Sequence, residues 1–419
     1  MSQINIKNKF NDNLFSLENN KIINSLLQKF KTLNFYGSEN FSFDDIAINY
    51  SIKGIDKIIQ FCNLLYKNKT ENLIVLCSFE TQQLIETSLD FIYGKLNNIE
   101  NNKIKLFFIN DSDSYQVMEN KLNYYFLKTK NNNLSILFLD IFVKKNNQSK
   151  IKIIYKLIDK LHQKASDFLI KKSIYFIGKN NWYLNFKKFL MTKENILIIS
   201  DSIHNEYHFF SEIILVLLAT QGLNINKIIN GYKQVSDSIL NEDVYSNLPL
   251  NIFLNFYKLV NNNDKLLLNL FLSYDTFLDS FAKLFTYELN KLTYNQNIIN
   301  DCTYFPENIT LTIQPILSFP YLKQIIYLDI KEKYFDYQPS SNIENDDAIS
   351  HLNYFTLNSL KEISINNFNN YYQSYTESSY SFTLEIQRNT EEALGKLIGI
   401  LYWTKIFYGI FFDINPFLN

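Results

Sequence analysis

The stretch HNEYH, His204 to His208, holds the only two closely spaced imidazoles in the chain. Residues four apart on a helix share a face, so His204 and His208 have the spacing of two ligands to a divalent metal, with Glu206 pointing elsewhere. This is not the HExxH arrangement, in which a glutamate directly follows the first histidine and serves as base. No third ligand is identifiable, so the pair reads as surface or helix-start histidines, with no metal and no cofactor. His162 and His351 are isolated and read as structural or solvated groups. Cys62, Cys77 and Cys302 are too far apart for a CxxC pair or a disulfide framework. Cys77 ends an apolar run with no cation beside it and reads as an inert buried thiol rather than a nucleophile. Trp182, Tyr183 and Phe186 have flat faces for a base or a sugar, but their spacing fits first the core face of an amphipathic helix.

The elements that would position these groups alternate. NLIVLCS, KIKLFFIND, LSILFLDIF, SIYFIGKN and ENILIISD are short continuous apolar runs, as expected of strands buried on both faces. Between them stand stretches of helical period such as SIKGIDKIIQFCNLLYKN, ETQQLIETSLDFIYGKL and SYQVMENKLNYYFLKT. YHFFSEIILVLLATQGL reads as a long helix. A second series follows: KLLLNLFLSYDTF, a helix over FLDSFAKLFTYELNKL, KQIIYLDIK, SFTLEIQ and a terminal helix with Thr390 as its cap. The pattern predicts an α/β fold with two flavodoxin-like domains, parallel sheets flanked by helices. The expected divisions are a helical N-terminal arm over 1–45, one domain over 46–205, a second over 206–365, and a C-terminal strand and helix arm over 366–419.

Bulk properties exclude several classes. Lys+Arg is 41 and Asp+Glu is 42, so no basic field draws the chain to nucleic acid or to an anionic membrane. Hydrophobic residues are 46%, with 36 Phe and 29 Tyr, which suits a packed globule and not a disordered chain. The longest apolar stretch, Ile213 to Ala219, is too short to span a bilayer, and the first residues lack the apolar core of a secretory signal. With three scattered cysteines, a reducing cytoplasm is the expected location. Glycine is scarce at 9, and loops that cradle phosphate need it for close backbone approach.

LGKLIGILYWTKIFYGIFFDINPF, from Leu394 to Phe417, resembles the C-terminal signature of the phosphoglucose isomerase family, keeping Leu394, Gly395, Leu397, Ile398, Gly409, Asp413, Ile414, Asn415, Pro416 and Phe417. IIYLDI resembles the segment after that family's catalytic histidine, and LFTYELNK the helix that carries its catalytic glutamate. The resemblance implies two sugar-isomerase (SIS) domains and interconversion of glucose 6-phosphate and fructose 6-phosphate. It also implies a histidine for ring opening, a glutamate as proton shuttle, an arginine for the enediolate, a Gly-Gly-Ser turn and a Ser/Thr-rich loop for the phosphate, and commonly a dimer.

Carried over residue by residue, those requirements meet different side chains. The Gly-Gly-Ser turn falls on Cys77, Ser78 and Phe79, where only Ser78 can donate through its side chain. The Ser/Thr loop falls on 140–148, where Asp140 would repel a phosphate and Lys144 and Lys145 would attract one. The arginine falls on Glu206, reversing the charge where an anion develops. The glutamate falls on Tyr287, with Glu288 one residue on, a turn of about 100° along a helix. The histidine falls on Tyr321, and a phenol near pKa of about 10 is a poor acid–base group at neutral pH. The family continues past NPF with a segment carrying a lysine that assists catalysis, whereas this sequence reads Leu418, Asn419 and stops.

Two functional readings follow. In one, the fold of a sugar-phosphate isomerase persists with catalysis lost or impaired, and the protein is a scaffold, regulatory or interaction partner, as a homodimer or within a larger assembly. In the other, it is a divergent working isomerase with Glu288 as base, and Ser78, Lys144 and Lys145 holding a sugar phosphate.

Overall fold

A computed structural model of the chain describes residues 4–8, 17–95, 103–128, 134–139, 173–180, 192–241, 243–261, 266–293, 296–305, 308, 322–332, 336–338, 354–375 and 379–417. Numbered along the chain, its strands are β1 (Ile4–Asn8), β2 (Asn72–Cys77), β3 (Lys105–Asn110), β4 (Leu134–Leu139), β5 (Ile174–Gly178), β6 (Ile196–Ile198), β7 (Leu267–Ser273), β8 (Ile298–Tyr304), β9 (Leu322–Ile330) and β10 (Ser379–Ile386). The helices used below are α1 (Leu17–Lys31), α2 (Ser51–Lys67), α3 (Phe79–Tyr93), α4 (Tyr115–Lys128), α5 (Glu212–Thr220), α6 (Ile225–Ser236), α7 (Leu248–Asn261), α8 (Thr276–Thr293), α9 (Leu357–Tyr375) and α10 (Glu391–Phe412).

The chain divides into two compact units. The first comprises Gly37–Leu89, Leu96–Ser236 and Phe417–Asn419; the second comprises Met1–Tyr36, Asp90–Lys95 and Asp237–Pro416. The units therefore interleave, where the sequence reading drew consecutive blocks. Residues 206–236 go with the first sheet because α5 and α6 pack on α2. The C-terminal strand goes with the second sheet because β10 pairs with β9.

The first unit is a parallel sheet of order β3-β2-β4-β5-β6. Every residue of β2, β4 and β5 is buried, which is why those strands read as unbroken apolar runs. The edge strands differ: β3 opens with exposed Lys105, and β6 leaves Ile198 exposed. The long helix expected over residues 207–223 is instead the nine-residue α5, closed by Gly222 at φ 82°. Before it the chain makes a 3₁₀ turn, Asn205–Tyr207.

The second unit's sheet has the order β1-β10-β9-β7-β8. It is parallel except for β1, which pairs antiparallel to β10 in the register Ile4↔Ile386. The segment read as a helical arm thus begins with an edge strand before α1. Lys7 on it pairs with Glu385 at 2.5 Å, a charged edge that discourages further strand pairing.

At the centre of this unit, α10 is buried all round from Ala393 to Ile410. It is long and apolar enough to cross a membrane, but 94% of that stretch is inside the fold, as for a core helix. Thr390 caps its start as expected, Oγ1 accepting from Ala393 N–H at 3.2 Å. Much of the aromatic content is used here: Phe256 on α7 stacks on Tyr408 with centroids 4.4 Å apart, and Phe253 meets Phe411 edge to face at 5.4 Å. Each such buried ring stabilises by about 1.5–3 kcal/mol before entropy is counted.

Candidate functional site

In an open α/β sheet, ligands bind beyond the carboxyl ends of the strands, where the strand order reverses. In the first unit β3 lies to one side of β2 and β4 to the other, so the reversal falls between β2 and β4. In the second it falls between β7 and β9. Four parallel strands correspond in order, β3-β2-β4-β5 with β8-β7-β9-β10, and a similar short motif follows β2 and closes β7: Ser78-Phe79-Glu80-Thr81 and Ser273-Tyr274-Asp275-Thr276. Sequence reasoning missed this repeat. Its signal is a serine, an aromatic, an acid and a threonine after an apolar run.

The two copies are wired differently. In the first, Ser78 Oγ accepts from Thr81 N–H at 3.1 Å and so caps α3. Ser78 Oγ lies 2.9 Å from Thr81 Oγ1, which lies 2.9 Å from His208 Nε2, and His208 Nδ1 bonds the Asn205 carbonyl. A carbonyl only accepts, so Nδ1 carries a hydrogen, and in the neutral ring Nε2 accepts. The hydrogens then run one way, from Ser78 to Thr81 to His208. All three side chains are buried. In the second copy Asp275 is the cap, Oδ1 accepting from Phe277 N–H at 3.2 Å, while the buried Ser273 hydroxyl has no hydrogen-bond partner among the described residues.

The turn expected at Cys77, Ser78 and Phe79 is thus the junction of β2 with α3. Phe79 N–H donates to Asp111 Oδ1 at 2.8 Å, from the turn after β3. Next to it Asp113 is held by Lys121 at 2.6 Å, and Asn110 Oδ1 accepts from Ser112 N–H at 3.0 Å and from Asp113 N–H at 3.1 Å. Burial drives the Cys77 thiol well above its ordinary value, and the nearby carboxylates Asp111, Glu86 and Asp113 add to this against Lys121. The thiol is a protonated, inert group, as the sequence implies.

His204 and His208 are not on a helix, which corrects the shared-face geometry. His204 is extended and caps the 3₁₀ turn, Nδ1 accepting from Glu206 N–H at 3.3 Å. With His208 turned to Thr81 and Asn205, the two imidazoles have separate structural partners. Glu206 is buried on that turn. Phe417 packs on both His204 and Tyr207, with centroids 5.4 Å and 4.9 Å away.

In the second unit, Tyr287 and Glu288 are neighbours on α8, and Lys291 one turn on touches both. Tyr287 is half-buried, with the Lys291 ammonium 4.6 Å over its ring. Glu288 is buried against α10. Its Oε2 pairs with Lys405 and its Oε1 with Lys291 at 3.2 Å. The Lys405 side chain is 1% exposed. Lys405 was not singled out from sequence, where it looks like one polar residue in an apolar helix. Asp140, Lys144, Lys145 and Tyr321 lie outside the described residues, as do His162, His351, Trp182, Tyr183 and Phe186. Among the described residues no group of three or more His, Cys, Asp or Glu is placed to hold a metal.

No protein-family model matches this sequence, and no curated protein matches it. Solved structures do match in fold. A hypothetical protein from Thermus thermophilus superposes with a TM-score of 0.76 at 12% identity, over 96% of this chain and 92% of that one. A glucose-6-phosphate isomerase from Chlamydia trachomatis gives 0.72 at 11% identity, over 100% of this chain and 86% of its own. A tagatose-6-phosphate ketose/aldose isomerase from Escherichia coli gives 0.50 at 11%, over 93% and 96%. The chain therefore has the α/β fold of the phosphosugar isomerases with SIS domains; identities this low speak to fold alone.

Proposed function

We propose that this chain keeps the framework of a glucose-6-phosphate isomerase while its isomerase chemistry is lost or much impaired, and that it acts as a scaffold, regulatory or interaction protein. The observation that carries this is the state of Glu288. A carboxylate that abstracts a proton needs an oxygen directed at its substrate. Both oxygens of Glu288 face ammonium groups, Lys405 and Lys291, and the side chain is buried against a core helix. Supporting it, the hydroxyl of Ser78 is buried and turned inward, and an acid, Glu206, stands where the resemblance implies an arginine. A homodimer or a place in a larger assembly, and a cytoplasmic setting, belong to the same reading; a sugar phosphate held through Ser78, Lys144 and Lys145 belongs to the alternative below.

The test is turnover. Purified protein given fructose 6-phosphate in a coupled assay is expected to convert it at least about 10⁴-fold more slowly than a typical enzyme turnover of about 10 s⁻¹. Ordinary turnover that disappears in Glu288→Gln defeats the proposal and establishes the second reading, a divergent working isomerase. The placement of Glu288 on the helix after the β7 motif is what favours that alternative.

A further inference from the structure

The β2–α3 junction borders the crevice between β2 and β4, the place where a sheet of this order holds its ligand. A helix start there offers N–H donors and the positive end of a dipole to an anion. In this chain an anion from another strand already sits on it. Asp111, from the turn after β3, takes the Phe79 N–H at 2.8 Å. Separately, the Ser78 hydroxyl at the junction is completely buried and committed to Thr81, whose own hydroxyl is committed to His208. Around the end of β2 three carboxylates, Asp111, Glu86 and Asp113, act on Cys77 against the one cation Lys121 that acts on it, which is itself paired with Asp113.

We propose that Asp111 is a specificity-determining residue whose carboxylate fills, from within the chain, the seat a ligand phosphate would take, so that the first unit refuses phosphate at this junction. One N–H cannot serve Asp111 and a phosphate oxygen together, and a carboxylate beside a dianion is repelled. The inference rests on the reading that the framework is that of a sugar-phosphate protein with its ligand chemistry altered, and names the residue that alters it.

The experiment compares wild type with Asp111→Ala, with Asp111→Ser as a second variant. Circular dichroism checks folding, and hydrogen exchange follows the Phe79 amide. That amide is expected to be protected in wild type and to exchange at least about tenfold faster in the variants, as for a backbone bond that has lost its acceptor. Inorganic phosphate is then titrated at constant ionic strength and the melting temperature read. Wild type is expected to show no saturable rise, and a folded variant a saturable rise of about 1–3 °C at ten times its dissociation constant. A saturable rise of equal size in wild type overturns the proposal, as do a folded variant that ignores phosphate and a wild-type Phe79 amide that exchanges freely. If neither variant folds, the wild-type exchange and titration decide alone. Isomerase turnover by wild type with this phosphate pattern intact would remove the proposed function and leave the role of Asp111 standing.

Discussion

Gly409 and Pro416 approach so closely that no side chain fits between them. A Cβ on Gly409 would stand 2.9 Å from Pro416 Cβ and 3.0 Å from the Ile414 carbonyl oxygen. The contact exists because α10 ends at Asp413, whose left-handed φ of 53° turns the chain back, and Ile414 N–H then bonds the Gly409 carbonyl at 3.0 Å. The residues of the C-terminal signature that look like a chemical motif are, in this chain, the parts of a helix stop.

Gly409→Ala is therefore expected to destabilise the protein by about 1–3 kcal/mol, the usual cost of overfilling a close-packed contact. Urea unfolding checks this. Pro416→Gly in the same chain is expected to recover part of the loss, since it removes both Cβ and Cδ, the Pro416 atoms that the new methyl meets; equal costs in both backgrounds would show that Pro416 is not the obstacle.

The Lys405–Glu288 pair makes a different prediction. Lys405→Met leaves the Glu288 carboxylate buried beside Lys291 alone and is expected to cost about 3–5 kcal/mol. Adding Glu288→Leu removes the stranded charge and is expected to restore most of the loss. Chemical denaturation of the two single variants and the double variant measures the coupling.

Glu212 supplies a pH dependence. The π-helical turn Ile46–Tyr50 brings Tyr50 to Glu212, and Tyr50 OH accepts from Ser200 N–H at 3.2 Å. Burial raises the Glu212 carboxyl, against the opposing pull of backbone and Tyr50 hydrogen bonds and of Lys57. Among the described residues its buried Oε2 has no hydrogen-bond partner. A raised carboxyl binds its proton more tightly folded than unfolded, so its contribution is complete below the unfolded value and is lost as pH climbs through the folded one. Compared with Glu212→Gln, wild type is expected to lose stability from about pH 4.5 upward, by at most about 1.4 kcal/mol per pH unit, and then level off. Melting temperatures of the two proteins across pH test it; parallel curves would refute it.

Thr81→Val removes the middle of the Ser78–Thr81–His208 chain. The Ser78 hydrogen then loses its acceptor and His208 Nε2 loses its Thr81 donor, and the expected cost is about 1–3 kcal/mol. Thr81→Ser keeps the hydroxyl and is expected to stay within about 1 kcal/mol of wild type. Unfolding by urea separates the two.

How much of this was legible in sequence depends on how local the physics is. β2, β4 and β5 were readable because a strand covered on both faces is mostly apolar along its length. The Thr390 cap was readable because its bond spans three residues. Thus the sequence by itself determined the alternation of strands and helices, the α/β class and the apolar helix that centres the second unit. Only the tertiary structure decided that Ile4–Asn8 closes a sheet edge against β10, that residues 206–236 belong with the first sheet, and what stands at the candidate site. Phe79 meets Asp111, Thr81 meets His208 and Glu288 meets Lys405 across 32, 127 and 117 positions. No spacing rule reaches across such separations. An aspartate in a turn, a histidine before a helix and a lysine in an apolar helix each look unremarked until the fold brings a partner within 3 Å, and it is those partners that set which hydrogens point where and which charges are spoken for.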